Sequence, residues 1–167
     1  MKSNQLQTDL VLDLLKATPN RLAALAHGLP DSVLKQRPGV DAWSATDILA
    51  HLRACADVWG KSILTMIAED APKLRYLSPR TWVRKTDYDR LDFQSSLSAF
   101  THQRLELLKV LSRLPRKDWS RSATFSGTTK GRYQTVYSYA TRMAEHEDSH
   151  CKQTEAVLKK VSIVADH

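Results

Sequence analysis

The chain has 167 residues, 42% of them apolar and 26% charged, with a formal net charge of +7. This balance excludes a disordered chain and fits one globular domain over residues 1–167. No apolar run approaches the roughly 18–20 residues of a bilayer-spanning helix, which excludes a membrane protein.

The N-terminus MKSNQLQTDLVLDLL carries polar and acidic residues where a signal peptide needs an unbroken apolar stretch. Cys55 and Cys151 form no C-x-x-C pair, so neither a disulfide framework nor a cysteine zinc site is expected. A cytoplasmic location follows by default.

The first periodic segment spans about 4–28, with Leu6, Leu10, Leu14, Leu22, Leu25 and Leu29. Pro19 inside it predicts a kink or a helix restart. DSVLKQ offers one helical turn, and RPGVDA a loop. The second segment opens at WSATDI. Ser44 can cap it, with Asp47 completing an acidic capping box and Trp43 packing on Ile48 as a hydrophobic staple. It runs to about Glu69 with Ile48, Leu52, Cys55, Trp59, Ile63 and Met66 on one face.

The third segment, about 89–114, carries Phe93, Leu97, Phe100, Leu107, Leu111 and Leu114. Arg104 stands on that stripe where an apolar residue belongs. The fourth segment, about 132–161, carries Val136, Met143, Val157 and Val161, with His146, His150 and Thr154 between them. No segment keeps a period of two. The pattern predicts an all-α protein, an antiparallel four-helix bundle with no sheet beyond an incidental hairpin. The connection between the second and third long helices, 71–88, exceeds what a hairpin needs and suggests function or a crossover.

Positive charge is densest in KLRYLSPRTWVRK (73–85) and RLPRKDWSR (113–121). Both mix basic with aromatic residues, as single-stranded nucleic-acid binders do. No nucleic-acid motif accompanies them, so basic surface loops are the preferred reading.

His146 and His150 are four residues apart, one above the other on one helix face, which suits two imidazoles on one divalent metal. His51 lies at the edge of the apolar stripe of the second segment. Three neutral nitrogen ligands from two facing helices, with positions left for water, make a catalytic metal site. Three separately satisfied core histidines are the alternative. HEDSH also matches the zinc-protease pattern H-E-x-x-H. The extension needed for a third protease ligand is missing, since Gln153 and Ala156 stand where Gly and His would be required. His27 and His102 read as surface or boundary residues.

Trp43-Ser44, His51-Leu52 and His146-Glu147…His150…Gln153, in this order and spacing, resemble the DinB/YfiT-like family of metal-dependent enzymes. The resemblance covers most of the chain, and FTHQRLELLKVLSRLP looks like the family's third helix with an inward arginine. It implies an antiparallel four-helix bundle, often dimeric, with His51, His146 and His150 as metal ligands. Zinc or nickel is the metal expected, with iron also compatible with imidazole donors. The resemblance further implies a thiol transferase or hydrolase, with bacillithiol- or mycothiol-type low-molecular-weight thiols as cosubstrates in relatives. A small anionic substrate and a homodimer are expected. The family's usual Asp after the first histidine is Glu147 here, and its loop histidine has no counterpart in SATFSGT.

Glu147 is a candidate general base or supporting partner for His51 or Arg104. Arg104 is a candidate for binding a substrate carboxylate or for pairing with Glu147 inside the bundle. Cys55, one turn after His51, could touch the site, although core packing is its commoner role. A non-catalytic module gripping nucleic acid or another acidic partner through loops 73–85 and 113–121 is the second reading.

Overall fold

The computed structural model describes residues 2–165, with side chains described for 7–162. Four long helices dominate it: α1 (Lys2–Ala26), α3 (Ala45–Ala68), α5 (Phe93–Leu111) and α6 (Val136–Ala165). Two short helices, α2 (Asp31–Leu34) and α4 (Pro79–Val83), lie in the connections.

Both α1 and α3 pack against α5 and α6, so α1 and α3 occupy opposite corners of the four-helix bundle, as do α5 and α6. Helix direction follows from side-chain pairs. Trp43 at the start of α3 stacks near His150, while Trp59 further along meets His146 and Tyr139, so α3 runs against α6. Arg53 reaches Ser96 and Asp57 accepts from Gln103, so α3 and α5 run the same way. Val11 and Leu15 share a cluster with Leu107 and Leu111, and Leu22 shares one with Phe93 and Leu97, so α1 runs against α5.

The same direction of α3 and α5 explains the long connection 69–92. The chain must travel back along the bundle before α5 can start. Asp57 fastens this crossover from the side. It accepts from Trp82 Nε1 at 2.8 Å and from the Tyr88 hydroxyl at 2.7 Å, besides Gln103.

Local sequence accounts for most helix ends. The Ser44 hydroxyl accepts from the Asp47 amide, and the Asp47 carboxylate accepts from the Ser44 amide, the expected capping box. Trp43 packs on the cluster that holds Ile48. Asp92 caps α5 by accepting from the Ser95 amide at 2.8 Å.

Two expectations need correction. Of the kink or restart expected at Pro19, the restart does not occur, since α1 is one helix through it; the Thr18 hydroxyl donates to the Leu14 carbonyl beside it. Its buried stripe is Val11, Leu15, Thr18, Leu22 and Ala26, while Leu10 is 59% exposed. Leu6 lies outside the residues whose side chains are described. There is also more sheet than a hairpin. β2 (Ser122–Ser126) pairs antiparallel with β3 (Tyr133–Thr135) and parallel with β1 (Lys73–Arg75) from the crossover. Ala123 and Phe125 alternate inward and cap one end of the core.

The core divides into two apolar clusters. One gathers Leu15, Trp59, Leu111 and Met143; the other gathers Leu22, Leu52, Phe100 and Val157. Between them, each long helix contributes polar groups at one level: Thr18, His51, Arg104, and His146 with Glu147. This polar layer opens to solvent on the α3–α6 side.

Candidate metal centre

The capping box fixes where α3 begins, and His51 follows about two turns later on the side facing α6. His146 and His150 face it from the middle of α6. The three rings converge. His146 Nε2 lies 3.3 Å from His51 Nε2 and 3.1 Å from His150 Nε2. Cys55 Sγ lies 3.4 Å from His51 Nε2. The donor atoms of His51, Cys55 and His146 all lie within 4.8 Å of one another.

These separations fit a shared cation. Two nitrogen ligands at about 2.0–2.1 Å from a tetrahedral ion stand roughly 3.3–3.4 Å apart. A proton on His146 Nε2 can serve only one of its two neighbours, whereas a cation serves all three lone pairs. His150 is oriented for this, because Nδ1 sits 2.7 Å from Gln153 Oε1 and donates to it. That hydrogen bond leaves the Nε2 lone pair free. Nδ1 of His51 and Nδ1 of His146 are buried with no hydrogen-bond partner among the described residues.

Burial, the neighbouring histidines and nearby arginines keep the imidazoles neutral. Burial first, then His150 and Arg80, lower the His51 pKa to about 4. Burial, His150, His51 and Arg142 lower that of His146 to about 3. His150 is also lowered, chiefly by burial, against a raising effect from Gln153. Burial pushes the Cys55 thiol well up, so it stays protonated.

The rings form the floor of a cleft of about 740 Å³. Trp43 and Trp59 bracket them, with ring centroids 5.1 Å from His51 and 4.9 Å from His146. Tyr76, Ser78, Pro79 and Arg80 of the crossover make one wall; Arg142 and Lys160 of α6 stand at the ends.

Glu147 and Arg104 lie elsewhere. They form an ion pair in the polar layer, and neither lines the cleft. Burial raises the Glu147 pKa, opposed by Arg104 and by the nearby Thr18. The alternative of Arg104 pairing with Glu147 is the arrangement found. The aromatic residues of the basic stretches are partly or wholly engaged in the fold. Trp82 is tied to Asp57, Tyr76 packs against the core, and Trp119 is buried. Arg121 donates to the Met66 and Glu69 carbonyls at the end of α3.

Sequence reasoning missed Arg80, Arg142 and the Trp59 wall. Arg142 carried a signal, since it precedes His146 by one helical turn. Arg80 carried none, because only the crossover brings it to the cleft.

The family model of the DinB superfamily matches residues 14–154. Among solved structures the chain is similar to YfiT from Bacillus subtilis, described as a probable metal-dependent hydrolase with an unusual four-helix bundle topology. The two align with a TM-score of 0.72 and 17% identity, over 89% of this chain and 86% of that one. At that identity the likeness is one of fold. No curated protein matches the chain. Among the described residues, no helix is long and apolar enough to cross a membrane.

Proposed function

The chain belongs to the DinB superfamily, and on that footing we propose that it is a metal-dependent enzyme whose ion is held by His51, His146 and His150. The observation that carries this reading is the contact of His146 Nε2 with both other Nε2 atoms, at 3.3 and 3.1 Å. Zinc or nickel suits three neutral imidazoles, and iron is also compatible. Such an ion supplies Lewis acidity, which makes water or a thiol acidic enough to act as a nucleophile near neutral pH. The reaction we assign is hydrolysis of, or thiol transfer to, a small anionic molecule. The description of YfiT favours hydrolysis; the motif resemblance adds the thiol.

The protein's own groups have separable tasks. Burial keeps the imidazoles unprotonated, and Gln153 fixes the tautomer of His150. Trp43 and Trp59 wall the reacting space with flat apolar surface and exclude water from two sides. Arg104 and Glu147 are positioning residues. Their pair ties α5 to α6 directly beside His146 and touches no part of the cleft.

Metal analysis of protein purified without a nickel column tests the reading. One equivalent of a divalent ion, removed by chelator and restored by titration, is expected. Protein that neither carries nor takes up a divalent ion overturns it.

A further inference from the structure

The cleft above the histidines is ringed by cations that form no ion pair among the described residues. Arg80, Arg142 and Lys160 all line it, against a single carboxylate, Asp41. All three cations are exposed, and none has an ion-pair partner among the described residues. Other basic residues near acids do pair, as Arg21 does with Asp148 at 2.6 Å and Arg37 with Asp47 at 2.9 Å.

The two arginines are held on the walls. The Arg80 guanidinium lies 5.8 Å from the Trp43 ring centre, and that of Arg142 lies 5.1 Å from the Trp59 ring centre. Stacking on an aromatic face orders a guanidinium and leaves the edge of its fork free for a bidentate anion. Each arginine is attached to a different element, Arg80 to α4 of the crossover and Arg142 to α6. Along α6, Arg142, His146, His150, Gln153, Val157 and Lys160 follow one another at three- or four-residue steps on the cleft face. Cations therefore stand at both ends of the histidine pair.

We propose that Arg80 and Arg142, supported by Lys160, form an anion clamp that grips a carboxylate, phosphate or phosphonate of the substrate above the histidines. This rests on the reading of the cleft as the substrate site. The clamp selects flat or aromatic anions, because each fork sits beside a tryptophan face. Arg104, buried and paired with Glu147, is not available for this role.

The test is a calorimetric titration of metal-loaded and chelator-treated protein with phenylphosphonate, benzoate and benzyl alcohol. Both anions are expected to bind and the neutral alcohol not to. The tighter of the two anions identifies the group the clamp prefers. Arg80→Gln and Arg142→Gln should each weaken anion binding about ten-fold, the scale of one lost charge-assisted hydrogen bond. Arg→Lys at each site should lose part of that, because charge remains without the fork. The proposal is overturned if the double Gln variant binds the anions as tightly as the parent, or if benzyl alcohol binds equally well. Should the double variant not fold, the Lys variants and the salt dependence of the parent decide. Affinity insensitive to salt and to both Lys substitutions also overturns it. Metal stoichiometry on the same samples separates the two readings. A parent that takes no metal sinks the metal centre, and metal-loaded arginine variants that bind the anions as tightly as the metal-loaded parent sink the clamp alone.

Discussion

Arg104 of α5 and Glu147 of α6 pair in the centre of the bundle, their side chains 1% and 0% exposed. Glu147 adjoins His146 in sequence, so the pair fixes the helix turn that carries a candidate ligand. It also lies between two apolar clusters, where an unpartnered charge would be costly. Arg104→Met strands the carboxylate. We expect a loss of about 3–5 kcal/mol in urea unfolding. Replacing Glu147 by Leu as well should recover much of that loss. A single mutant as stable as the parent would mean the pair contributes nothing.

The same burial bears on the protease-like letters HEDSH. A protease needs its glutamate facing substrate, and Glu147 faces Arg104. The pure, metal-loaded protein is therefore expected to show no chelator-sensitive cleavage of an unstructured protein such as casein. Robust cleavage that Glu147→Gln abolishes would contradict the placement.

How much of this was legible in the sequence differs by element. The α3 stripe, its capping box, the inward Arg104 and the histidine pair were readable, because each depends on local spacing and end chemistry. The α1 stripe was not. Leucines occupy several faces of that helix, so Leu10 and Val11 compete on equal terms, and only packing decides that Val11 is buried. Of the small sheet only an incidental hairpin was expected, because strands of three and five residues are too short to show a period. The parallel run of α3 and α5, and with it the cleft wall from the crossover, has no local signature at all.

Acid should weaken the metal-free protein in a defined window. His51 and His146 have pKa values near 4 and 3 when folded, against roughly 6.5 unfolded. Below about 6.5 the unfolded chain binds protons that the folded protein does not, so stability rises with pH across this range. The contribution is fully present above 6.5 and is lost as pH falls toward 4. The urea midpoint of chelator-treated protein is thus expected to drop between pH 7 and pH 5. The drop should be smaller in a His51→Ala/His146→Ala double variant. An equal drop in both would place the titrating groups elsewhere.

Cys55 sits within reach of His51, yet its thiol is buried and held protonated. A ligand thiol must lose its proton, so an ion there would have to displace it against that burial. Cys55→Ser is expected to take up one equivalent of metal as the parent does. With cobalt as the probe ion, the parent should show no thiolate-to-cobalt charge-transfer absorption. Such a band in the parent, absent from Cys55→Ser, would make the thiol a ligand.

Titrating zinc into the chelator-treated parent and into His51→Ala tests the metal centre most directly. His51 comes from α3, whereas His146 and His150 both come from α6, so its loss leaves two donors on one helix. The parent should bind one equivalent, more weakly as the pH drops below about 6.5 because protons compete for the imidazoles. His51→Ala should bind far more weakly while keeping its helical circular dichroism. If His51→Ala instead binds zinc with the same affinity and stoichiometry as the parent, the three-histidine centre does not exist.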